Sequence, residues 1–284
     1  MSPMNNRLLV PRKVPGLLDL VPGAAAAYSL RSLSRSYADP VVTVRRSSDD
    51  DEGSFTASEV ADGTLAAWCG AGDGFVKQWW DQSGNARHAV AAADANEPQI
   101  VDSGVVVTEE GKPAIQFDGS DDYLSIGSLG LAGNIARSVF AVVSPQSYPS
   151  GTGSPFLGRV VGSALSGQLF ELCVESGQFA VRVLGNAIFT DTANNLQQRL
   201  WAVLFPGGNS DSISVHKDGA PLAYSTGAVA TLATVDSNFA IGAGTSLSLD
   251  VYFTGNMQEL IIYPSDLIEQ RELIEGNIAW GWSV

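Results

Sequence analysis

The chain has 284 residues, of which 45% are apolar, 16% are charged and 30 are glycine. This composition builds a packed core with many turns, and it excludes a disordered, collagenous or disulfide-stapled protein. A formal charge of −14 repels phosphate backbones, so no nucleic-acid partner is expected.

The charge is unevenly spread. Residues 1–46 hold seven bases (Arg7, Arg12, Lys13, Arg31, Arg35, Arg45, Arg46) against two acids, Asp19 and Asp39. The division predicts two parts: a basic N-terminal arm and helix over 1–46, and an acidic globular domain over 47–284. Arg7, Arg12, Lys13, Arg31 and Arg35 are the expected docking side chains. Residues 1–23 are punctuated by Pro and Gly and read as an extended arm. An arm without a core of its own must pack on the body or on a partner. Met1–Pro15 carries no apolar leader core, and no stretch approaches the roughly 18 apolar residues of a membrane span, so no membrane partner is expected. Cys69 and Cys173 read as two free thiols.

In chain order, the four alanines of Gly23–Tyr37, with Leu30 and Leu33 on one face, predict a helix stopped by Pro40. Val41–Arg46 alternates and predicts a strand entering the polar turn Ser47–Glu52. Leu65–Cys69 predicts a short helix closed by Gly70–Gly74. Phe75–Trp80 predicts a strand, and Asp81–Asn85 a turn. Short strands then dominate: Ile100–Val101, Val105–Val107, Ala114–Phe117, Tyr123–Ile126, Arg137–Val143, Gly167–Val174, Phe179–Leu184, Arg199–Phe205, Asp211–Lys217, Phe239–Ile241 and Leu249–Tyr263. Asp218-Gly219 is a two-residue hairpin signal. Many short strands divided by turn residues predict an all-β sandwich or barrel. After Pro264 the period changes. Asp266 and Glu269 have capping-box spacing, and Leu267, Ile274 and Ile278 predict a C-terminal helix lying on a sheet.

Several constellations bear on chemistry. Glu171 and Glu175, four apart on one predicted strand, share a face at about 13 Å, too far for a glycosidase pair, and read as solvent-facing. Asp118, Asp121 and Asp122 fall in one turn. They are candidate calcium ligands, or aspartates bonded to their own backbone. Trp79 and Trp80 are adjacent on a strand and face opposite ways, one into the core and one toward a sugar or partner. Tyr148, Trp201 and Tyr252 are further candidate sugar-stacking residues. Arg45 and Arg46 also face opposite ways, and one of them is expected to meet an acid of the body, such as those of Asp49–Glu52. His88 and His216 sit in no nucleophile or metal motif, and Gly70–Gly74 lacks the context of a phosphate loop.

A resemblance adds to this reading. Its residues are Ala27-Tyr28-Ser29-Leu30-Arg31, Val44–Asp49, Gly74-Phe75-Val76, Trp80–Asn85, Gly111–Ile115 and Phe117–Leu124. In this order they resemble the N-terminal half of the catalytic domain of the alpha-L-arabinofuranosidase B family, and a group of bacteriophage virion proteins with the same cassette. Gly255–Tyr263 with the terminal helix to Trp280 resembles the close of laminin-G-like, concanavalin A-like jelly rolls. The resemblance spans most of 24–284 and implies an all-β concanavalin A-like jelly-roll sandwich. The enzyme family keeps its catalytic carboxylates in the half where this chain departs, so no catalytic residue is carried over. The first expectation is therefore a non-enzymatic, multi-copy virion protein, a head or tail component docked to other virion proteins by the arm and adhering to a glycan. A structural decoration without a ligand is one alternative. A glycoside hydrolase of arabinofuranosidase type is the other.

Overall fold

A computed structural model describes residues 15–284, except 148–153, 160–167, 176, 184–185, 190–195, 224, 227–228, 247–248 and 283. The docking candidates Arg7, Arg12 and Lys13 and the stacking candidate Tyr148 lie outside the described residues.

The fold is an antiparallel β-sandwich of jelly-roll type with a C-terminal helix. Its organising element is the strand Thr254–Tyr263, buried along nearly its whole length. One edge pairs with Arg137–Pro145, Phe140 opposite Ile261. The other edge is shared by Ala26–Ser29, Tyr28 opposite Leu260, and by Ile115–Asp118, Phe117 opposite Gly255. Arg199–Phe205 and Ser214–Lys217 extend this layer outward. A strand buried on both faces needs apolar side chains at consecutive positions, which Leu260-Ile261-Ile262 and Val139–Val143 supply.

The second layer runs Leu124–Gly127, Phe239–Ile241, Ser154–Arg159, Glu171–Glu175, Gln178–Val183 and Asn186–Phe189. Gly74–Trp79, with Val42–Arg46 and Gln99–Asp102, bridges the two layers at one end. Aromatic rings fill the space between. Phe179 stacks on Trp201 with centroids 4.1 Å apart, and Phe253 meets both Phe117 and Phe156. Gly242 permits this closeness. Its φ is +85°, and a Cβ there would lie 2.5 Å from the Phe117 ring. We expect Gly242→Ala to cost about 1–3 kcal/mol, read as a lowered denaturation midpoint with an unchanged slope.

Two expectations are corrected here. Gly23–Tyr37 is not a helix. Ala26–Ser29 is a strand, and the described N-terminal helix is the single turn Leu17–Leu20. The small alanines let the Asp81–Asn85 turn close against the strand: the Asp81 carboxylate accepts from the Ala27 amide, and Asn85 donates to the Ala24 and Ala25 carbonyls. The C-terminal helix starts at Arg271 rather than after Asp266. The Asp266 carboxylate accepts from the Ile268 amide in a local turn instead. Ile274, Ile278 and Trp282 form the buried face of that helix. Among the described residues, no helix is long and apolar enough to cross a membrane.

Candidate functional site

The titratable groups converge at one end of the sandwich, in a cleft of about 290 Å³. Its floor is the paired Gln99 and Gln116 of neighbouring strands. One wall is the turn that follows Ile115–Asp118. The other holds Arg45, Phe75, Asp94 and Glu97. Strand pairing therefore gathers residues far apart in the chain.

Asp118, Asp121 and Asp122 come together as the sequence suggested. One carboxylate oxygen of each lies within 4.8 Å of the others. Their bonds are those of a tight turn: Asp118 accepts from the Ser120 and Asp121 amides, and Asp122 accepts from the Asp118 amide at 2.8 Å. The turn's own amide donors thus bond two of the three aspartates, which is the second of the two readings of this cluster.

The environments of the two bonded aspartates differ. Burial pushes Asp122 up to about 7, and the charges of Asp118 and Asp121 add to the rise against the pull of the Asp118 amide. Asp118 is exposed. The little burial it has is outweighed by amide donors, which hold it below the usual carboxylate range. Glu97, 3% exposed, is raised by burial and partly restored by Arg45 and Lys77. Arg45 Nε donates to Glu97 at 2.8 Å, and its guanidinium lies 5.2 Å from the Phe75 ring centre. Cleft and turn thus set a carboxyl that keeps its proton up to about 7 beside one that gives its proton up more readily than an ordinary carboxyl.

The other candidates fall elsewhere. Trp79 is buried in the core, and Trp80 is half-buried with its indole donating to Thr43, so the adjacent pair does split between faces. Trp201 is core. Tyr252 is half-buried, its ring 6.3 Å from that of Tyr123. Arg45 and Arg46 pair with Asp50 and Asp49, as expected of the turn acids. Arg31 is committed within the molecule, to Glu259 and Asn277, rather than presented for docking. Arg35 is exposed. Glu171 and Glu175 are not solvent-facing: Glu171 is fully buried, and Arg182 of the adjacent strand reaches both. Both cysteines are buried free thiols. A concavity of about 520 Å³ elsewhere is lined in part by the exposed Trp280, which the sequence presented only as part of the chain end.

No family model matches the chain, and no curated protein matches it. Solved structures do. An arabinofuranosidase complexed with arabinofuranosyl-alpha-1,2-xylobiose superposes with a TM-score of 0.64 at 17% identity, over 91% of this chain and 63% of its own. A GH54 α-L-arabinofuranosidase soaked with a cyclic sulfate inhibitor gives 0.62 at 16%, with the same coverage. A Trypanosoma rangeli sialidase complexed with 2,3-difluorosialic acid gives 0.51 at 19%, over 72% of this chain and 31% of its own. The chain thus spans less than two thirds of the arabinofuranosidases it resembles, and what it shares with them is the sandwich fold.

These neighbours correct the first functional expectation. They are glycoside hydrolases, and none is a virion component. The reading of the chain as a non-enzymatic virion adhesin gives way to the hydrolase alternative.

Proposed function

We propose that the chain is a glycoside hydrolase that removes a terminal sugar of arabinofuranosyl type, with Asp118 and Asp122 as its carboxyl pair. The observation that carries the reading is their placement: two carboxyl groups, oxygens within 4.8 Å, at the wall of an open cleft. The fold supports it, since an arabinofuranosidase shares it over 63% of its own length.

In this mechanism the Asp122 carboxyl donates its proton to the leaving glycosidic oxygen as the C–O bond breaks. The Asp118 carboxylate attacks the anomeric carbon and forms a glycosyl ester. Asp122, now ionised, takes a proton from water, which displaces Asp118 and restores both groups. Gln99, Gln116 and Arg45 supply polar contacts for ring hydroxyls, and Phe75 an apolar face. The short carboxyl spacing belongs to the retaining class, where the groups stand about 5–5.5 Å apart. Proton NMR of 4-nitrophenyl α-L-arabinofuranoside during turnover is expected to show the α-anomer of the free sugar first. Absence of turnover with aryl arabinofuranosides, or first release of the β-anomer, overturns the assignment.

A further inference from the structure

The C-terminal helix hides Ile278 and Trp282 but leaves Trp280, between them, 69% exposed. A large indole in water forgoes the gain of burial, and an exposed aromatic facing a concavity marks a contact surface. Trp280 stands at the rim of the 520 Å³ concavity, which shares no lining residue with the carboxylate cleft. That volume lies within the range of small-ligand sites. Tyr37 and Asp39 also line it, with Ser32, Ser34 and Ser58, whose hydroxyls are bonded within the molecule.

Chemistry narrows the occupant. One base, Arg35, and one acid, Asp39, line the hollow, so it carries no net charge to draw a strongly anionic ligand, and the body around it is acidic. Its mixture of an open indole, a phenol ring, hydroxyls and a carboxylate suits a ligand with both C–H faces and hydroxyl edges. A lipid or apolar helix would strip water from the exposed Asp39 carboxylate and give it no partner in return. The helix holds the indole rigidly, since Ile278 and Trp282 anchor the turn on either side.

We propose that the Trp280 hollow is a second sugar-binding site, which holds a neutral oligosaccharide by stacking a ring on the indole and bonding its hydroxyls to Asp39. It rests on the chain being a sugar-handling protein, yet its test is independent of catalysis. Xylo- and cello-oligosaccharides are titrated by calorimetry into the full chain, Trp280→Ala, Trp280→Phe and Asp122→Asn, each checked for an unchanged melting temperature. We expect saturable binding to the full chain and to Asp122→Asn. Affinity should fall about tenfold in Trp280→Ala and by less in Trp280→Phe. Equal affinity in Trp280→Ala, or no saturable binding by the full chain, overturns the proposal. Loss in Asp122→Asn alone places the binding in the carboxylate cleft and overturns it too. Failure of turnover without loss of binding counts against the hydrolase reading only.

Discussion

Arg31→Met is expected to destabilise the protein by about 3–5 kcal/mol and to lower Tm by about 6–15 °C. The reason is Glu259, whose side chain is buried in the middle of the central strand. Its Oε2 accepts from Ser29 Oγ at 2.7 Å, from Arg31 Nε at 2.7 Å and from Trp282 Nε1 at 2.6 Å, while Oε1 accepts from the Arg31 guanidinium at 2.9 Å. Ser29 and Arg31 come from the N-terminal region, Glu259 from the last strand and Trp282 from the terminal helix. Gly281 leaves space for the guanidinium, since a Cβ there would stand 2.8 Å from Arg31 Nε. Removing the arginine strips the buried carboxylate of its only cation among the described residues, while two neutral donors remain. The apolar stem of methionine keeps the volume, so the loss reports the charge. Urea unfolding of Arg31→Met and of Arg31→Met with Glu259→Met separates the two terms. The double variant should recover part of the loss, because no charge is then left buried. A change below about 1 kcal/mol in the single variant would show that the node carries little of the stability.

Asp122→Asn is expected to cut kcat/KM on aryl glycosides by about 10²–10⁴, the usual worth of a positioned general acid. Asp118→Asn should cost at least as much, since it removes the attacking oxygen. The pH profile carries a sharper test. Asp122 works protonated, so activity should fall as pH rises through about 7. Asp118 works ionised and lies below the ordinary carboxylate range, so the acid limb should fall at low pH. The charged groups around the pair are Asp121, Glu97, Asp94, Arg45 and Lys77. Arg45→Gln should shift the basic limb upward, because a cation is removed from the cleft that holds Asp122, the carboxyl that works protonated. Asp122→Asn should abolish the basic limb. A basic limb unchanged in that variant assigns the acid to another group.

Much of the fold could be read before any coordinates. Turn residues between short apolar runs marked many of the strands from Ile100 onward, and the Asp218-Gly219 hairpin forms where expected. What could not be read depended on distant neighbours. Ala24–Ala27 has strong local helix propensity, overruled by pairing with a strand more than two hundred residues away. Glu171 looked solvent-facing because nothing nearby in sequence reveals Arg182 across the ladder. A local signal was also missed. Thr56 and Glu59 form a capping box that opens the helix Ala57–Ala61. At the site, the three aspartates were visible as a turn. Their partners in the cleft were not, since Gln99 and Gln116 meet only through sheet pairing.

The central strand has a consequence for how the protein acquires its structure. Thr254–Tyr263 is the shared neighbour of Ala26–Ser29, Ile115–Asp118 and Arg137–Pro145, and it leaves a ribosome after all three of them. At about 5–20 residues per second, the earlier strands wait many seconds with unpaired edges before it emerges. Contacts of such sequence separation also make closure slow once the chain is complete. The formal charge of −14 sets copies of the chain against one another by mutual repulsion, which opposes pairing of those open edges between molecules.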